Sequence, residues 1–187
     1  IDITEPVSNT QVNPEQLGGG FEGDILLPPL TKGTGKLGAS SRWPDGIVPY
    51  DMSKITDPKD QQMIKDAMQK LVWEVATVES GKDTRKACVY FRPREANDKT
   101  YLIVEYGQGC SAHVGNFVGT HTLTLQKQVP GKGHCFIQGI IMHELLHVLG
   151  FWHEQSRHDR DDYLTINHEN IGDNMVGLLN IREQRCS

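Results

Sequence analysis

Residues 143–154 read HELLHVLGFWHE, and this stretch restricts the fold more than any composition figure does. His143 and His147 stand four positions apart. On a helix that spacing puts both imidazoles on one face, a turn apart, within reach of one ion. Glu144 lies about 100° round from His143. It is poorly placed as a ligand but can reach a water on the same ion. Gly150 permits a left-handed turn that stops the helix and redirects the chain. His153 can then return to the ion from outside the helix. Three neutral imidazoles suit one Zn²⁺ per chain and leave a position for water, the arrangement of a catalytic site. A structural zinc site usually has cysteines and a fourth protein ligand instead. H-E-x-x-H alone also occurs on ordinary helices, and the glycine and third histidine carry the zinc assignment.

The rest of the chain sets the frame for that site. Its 187 residues suffice for one domain with a sizeable core and a tail. The net charge of −5 is spread without a strong run of either sign, so neither nucleic acid nor an anionic membrane is an expected partner. No apolar run reaches membrane-spanning length and no repeat period shows. Cysteines fall at 88, 110, 135 and 186, without a C-x-x-C pair. An even count with wide spacing suggests two disulfides and an oxidising compartment, with buried free thiols in a cytosolic enzyme as the alternative. The first residue is Ile1, so any export signal is expected to have been removed already.

Residues 1–40 are polar and rich in Pro, Asn and Gly, and read as an extended or loosely ordered segment with an exposed linker. Lys32 and Lys36 in the linker offer cut sites to a trypsin-like protease. The spacing predicts a strand at 46–53, with Pro49 arguing for a sheet edge. A helix is expected at 57–81, capped by Asp57, with Ile64, Ala67, Met68, Leu71, Val75 and Val78 inward and Gly81 as its stop. Strands are expected at 87–93, 101–107, 110–117 and 121–127, then a second helix at about 136–149. This order predicts an α/β (α+β) domain: a twisted mixed sheet, two main helices and the zinc site on the second. His113, His121, His134, His158 and His168 have no matching spacing and are assigned to surface or packing roles.

HELLHVLGFWHEQSRHDRDDY (143–163) closely resembles the signature of the astacin family of zinc endopeptidases, within the metzincins. RWPDGIVPY (42–50), CVYFRPR (88–94), GC (109–110) and GHC (133–135) agree in order. The resemblance runs from about Phe21 to Ile171. It implies His143, His147 and His153 as zinc ligands and Glu144 as general base. It implies disulfides Cys110–Cys135 and Cys88–Cys186, and a Glu154 ion pair with the new N-terminus after maturation. FEGD (21–24) is, by its residues alone, a small acidic turn. It also resembles the F-x-G-D element of astacin propeptides, which implies Asp24 as the latency ligand on zinc. The chain then divides into a propeptide at 1–40, with its boundary between 33 and 42, and a catalytic domain at 41–187.

The resemblance implies a secreted, extracellular zymogen, a monomer that hydrolyses protein or peptide substrates and is activated by a trypsin-like protease. It places substrate on a strand edge near 110–117. The chain departs from the family after the signature. No S-x-M-x-Y stretch occurs, and Met175 is the sole methionine after His153. A shortened C-terminal subdomain is therefore expected. The alternative function is an astacin-like zinc- or peptide-binding product without catalysis.

Overall fold

The computed structural model describes residues 14–27, 41–78, 81, 84–130 and 132–171. Its strands are β1 (Ile25–Leu26), β2 (Ile47–Asp51), β3 (Thr77–Val78), β4 (Arg85–Lys86), β5 (Tyr90–Pro93), β6 (Tyr101–Tyr106), β7 (Cys110–His113) and β8 (Thr120–Leu125). Helix α1 spans Pro58–Val75 and helix α2 spans Gln138–Val148. Six strands form one mixed sheet in the order β1-β7-β8-β6-β2-β5. Only the β7–β8 pair in it is antiparallel.

Alternation along the strands sets the inner face. Leu102 and Val104 of β6 and Leu123 and Leu125 of β8 are all fully buried. Period-two alternation sends each of these side chains to the same side of the sheet. Helix α1 brings Ile64, Ala67, Met68 and Leu71 to this core. Burial of each large aliphatic side chain there contributes about 1.5–3 kcal/mol. Helix α2 packs against α1 and against β7 and β8, so the histidine-bearing helix is gripped from two sides. The Trp43 indole N–H donates to the Val148 carbonyl at 2.7 Å, tying the start of the domain to the end of α2.

Helix α1 begins as its sequence predicts: Asp57 accepts the Lys59 amide and Pro58 takes the first turn. It ends earlier than predicted, at Val75 rather than Gly81. The β-branched run Thr77–Val78 leaves the helix and pairs with Arg85–Lys86 instead. Gly81, with φ +79, lies in that hairpin's connection rather than at a helix end. The Arg85 guanidinium donates to the Trp73 carbonyl and stacks on the Trp73 ring, holding this hairpin against the last turn of α1.

Four further expectations change. The strand expected at 87–93 is shorter, and so is the one expected at 110–117. Strand β2 does not lie at the edge, because β5 and β6 flank it. Pro49 is nevertheless tolerated, since β6 pairs only with Tyr50 and Asp51 while Pro49 faces β5 alone. Residues 14–27, expected to be extended or loosely ordered, are seated on the domain. Pro14–Leu17 form one 3-10 turn, and β1 adds a parallel strand to β7 with Ile25 opposite Ala112.

Candidate metal centre

Helix α2 is apolar nearly all round, which suits an element enclosed by sheet and helix. Its end is built by Gly150 at φ +105. The Gly150 amide donates to the His147 carbonyl and the Phe151 amide to the Leu146 carbonyl, closing the helix with a left-handed glycine stop. The Gly115 amide also donates to the His147 carbonyl, fixing the same turn to the strand region beside it. The chain then reverses and brings His153 back to the helix face that carries His143 and His147.

A fourth group arrives from the opposite end of the sequence. Asp24 immediately precedes β1, and its carbonyl accepts the Ala112 amide at 2.9 Å. That bond sets its carboxylate among the imidazoles, with Oδ2 3.1 Å from His143 Nε2 and Oδ1 3.2 Å from His153 Nε2. One ligand atom each from Asp24, His143, His147 and His153 lies within 4.8 Å of all the others. Asp24, His147 and His153 are buried, and His143 is about one-third exposed at 36%.

Hydrogen bonds to the outer nitrogens decide what the inner ones can do. His147 Nδ1–H donates to the Phe151 carbonyl at 2.8 Å, and His153 Nδ1–H donates to Glu22 Oε2 at 2.9 Å. Both acceptors lack a proton, so in the neutral rings both Nε2 atoms carry lone pairs. These Nε2 atoms approach His143 Nε2 to 3.1 and 3.3 Å, beside a carboxylate. Lone pairs gathered in this way repel one another until a cation or protons enter. Three imidazoles and one carboxylate are a four-coordinate set suited to Zn²⁺.

The local charges agree. Burial opposes ionisation of Asp24, but hydrogen bonds from the His143, His147 and His153 rings, once protons enter the metal-free cluster, outweigh it and hold its carboxyl well below the usual range. Glu144 is fully buried, and among the described residues neither of its oxygens has a hydrogen-bond partner. Burial, then the charges of Asp24 and Glu15, pushes the Glu144 carboxyl up to about 9. A divalent ion in the cluster reverses that repulsion.

Against known proteins, residues 36–186 match the family model described as Astacin, a peptidase family. The chain belongs to the astacin family. The family's peptidases are zinc-dependent, and the three-histidine, one-aspartate cluster has the composition to hold a single ion. The chain is 35% identical over 158 residues to the low choriolytic enzyme of Oryzias latipes, covering 81% of this chain and 52% of that protein. It is 35% identical over 176 residues to zinc metalloproteinase nas-15 of Caenorhabditis elegans, covering 84% of this chain and 28% of that one. It thus spans between about a quarter and a half of these relatives' length. Among solved structures it is similar to high choriolytic enzyme 1, a hatching enzyme zinc-protease of Oryzias latipes. That match has a TM-score of 0.63 and 30% identity, over 80% of this chain and 69% of the other.

The astacin signature residues divide between the cluster and the surface. His143, His147 and His153 meet, with Glu144 beside them, and Asp24 joins them from outside the family-model match. Cys110 and Cys135 form a disulfide that links β7 to the approach to α2. Cys88 is exposed, and its expected pairing with Cys186 lies outside the described residues. Glu154 is 74% exposed and paired with Arg157 at 2.9 Å. Of the other histidines, His121 is fully buried and accepts the Phe117 amide at 3.0 Å, a packing role within the frame.

Sequence reasoning missed Glu22 and Phe151 as partners of the outer histidine nitrogens. The Phe151 carbonyl is a backbone group, which no side-chain pattern reports. Glu22 meets His153 across 131 positions, and its one visible signal is that it lies two residues before Asp24.

Proposed function

We propose that this chain is the latent form of a secreted zinc endopeptidase. The observation that carries it is the Asp24 carboxylate within the histidine cluster, with the orphaned Glu144 carboxyl alongside. His143, His147 and His153 would hold the zinc, with Asp24 as the fourth group able to reach it. Zinc there supplies Lewis acidity, lowering the pKa of water and polarising a peptide carbonyl. Glu144 accepts the proton of the attacking water and returns it to the leaving nitrogen.

Residues 14–27 block this chemistry twice. Asp24 takes the place that water needs, and β1 occupies the strand edge where an extended substrate would pair. The parallel hydrogen bonding of Ile25–Leu26 along β7 supports that reading. Activation removes residues 1–40, with a cut between Lys32 and Trp43 by a trypsin-like protease. Glu154 would then exchange Arg157 for the new N-terminus. The Cys110–Cys135 disulfide fits an oxidising, extracellular compartment. No helix of the described residues is long and apolar enough to cross a membrane. The active species is taken to be a monomer acting on protein or peptide substrates.

Zinc-loaded chain should cleave casein only after treatment with trypsin that is then inhibited, and a chelator should abolish that cleavage. Glu144→Gln should lower turnover about 10²–10⁴-fold with one zinc still bound. No cleavage in any arm, at one zinc per chain, would overturn the peptidase reading in favour of a zinc- or peptide-binding product.

A further inference from the structure

His147 and His153 reach the cluster with their outer nitrogens held in different ways. The Nδ1–H of His147 is held by the Phe151 carbonyl, part of the same loop. The Nδ1–H of His153 is held by Glu22, which belongs to the segment before the catalytic domain. His153 lies beyond the end of α2 and lacks the helix backbone that orients His143 and His147.

The chain accepts a strained backbone to place Glu22. Its φ is +54, a region where a side chain meets the following carbonyl and glycine is the usual residue. The conformation is enforced by a tight turn. The Gly20 amide donates to the Gly23 carbonyl at 3.1 Å and the Gly23 amide donates back at 3.2 Å. The Phe21 and Ile25 amides exchange a second pair of bonds at 2.8 and 3.0 Å. The outcome is a carboxylate only 3% exposed, aimed at one imidazole nitrogen. A strained non-glycine residue that is held firmly and buried is a sign of function rather than of loop accident.

We propose that Glu22 is a positioning residue of the latent metal centre. Its carboxylate fixes the His153 tautomer and ring plane and strengthens Nε2 as a donor to the cation, as carboxylate–histidine–metal arrangements do. The segment therefore grips the metal centre at two points, Asp24 on the ion and Glu22 behind a ligand. This rests on the latency reading for Asp24, but its test does not depend on turnover.

Zinc affinity of the intact chain, measured by competition with a chromophoric chelator, separates the two roles. Glu22→Ala should weaken binding about ten- to hundredfold. Glu22→Gln should recover part of that, because an amide oxygen still accepts the Nδ1–H. Glu22→Gly relieves the positive φ and should still bind as weakly as Glu22→Ala, which separates the carboxylate from the backbone. Cobalt-loaded Glu22→Ala should also show a shifted visible spectrum, reporting a reoriented ligand. Circular dichroism and thermal unfolding of each metal-free variant check that the fold is kept. Wild-type affinity in both Glu22→Ala and Glu22→Gln, with the fold kept, would overturn the role of Glu22. An Asp24→Ala chain that stays silent without trypsin bears on the latency reading alone.

Discussion

Helix α1 carries its apolar stripe within its own 18 residues, whereas residues 14–27 carry almost none. Both are ordered, by different means. Ile64, Ala67, Met68 and Leu71 recur at helical spacing, and the helix is stable because that stripe meets the sheet. Residues 14–27 borrow their order: a strand edge for β1, the cluster that Asp24 forms with three histidines, and glycines where backbones touch. A Cβ on Gly18 would overlap the Cys110 carbonyl oxygen, and one on Gly109 would overlap the Leu17 backbone. Glycine here permits close backbone docking, although the same residues in a sequence suggest looseness. An element with its own pattern stabilises the domain; an element seated on borrowed contacts can be released without unfolding it.

That contrast predicts separable transitions. Leu71→Ala opens a cavity in the core, since Leu71 is almost fully buried, and should cost about 2–5 kcal/mol in denaturant unfolding of the whole domain. Segment and domain should then unfold at the same lowered midpoint.

Acid probes the same frame through His121. Burial, then the neighbouring His113, holds the His121 imidazole down at about 4, against 6.5 in the unfolded chain. The folded state thus resists a proton that the unfolded state accepts. The full contribution is present above pH ~6.5 and is lost as pH falls toward ~4, amounting to about 3 kcal/mol at most. His121→Gln should flatten that part of the stability–pH curve; an unchanged slope would remove His121 from the account.

Gly18→Ala addresses the segment alone. Forcing a methyl group against the Cys110 carbonyl should weaken docking by about 1–3 kcal/mol. Hydrogen exchange at the Phe21 and Ile25 amides should quicken while the domain's thermal midpoint stays near wild type. Equal loss in both places would erase the distinction drawn between the two regions.

The same contrast explains what the sequence could reveal. Helix α1, the histidine spacing and the Gly150 stop were legible because each is a local pattern with a local cause. The C-terminal end of α1 was not, since Arg85 and the hairpin that replace its last turn come from later in the chain. Pro49 suggested an edge because a proline reports its own missing donor, not which neighbour needs it. Residues 14–27 were the least legible: their order lies in β7 and in α2. Recognition of FEGD supplied Asp24 through resemblance, while Glu22 beside it carried no periodic signal at all.

In the proposed latent state, Asp24 closes a metal site built from His143, His147 and His153. Its most direct test needs no catalysis. Cobalt-substituted intact chain is titrated with acetohydroxamate, a small chelating ligand, while the visible absorption is followed. With Asp24 on the ion, the wild-type spectrum should stay unmoved at concentrations that shift the spectrum of Asp24→Ala. The same shift at the same concentration in both proteins would contradict it.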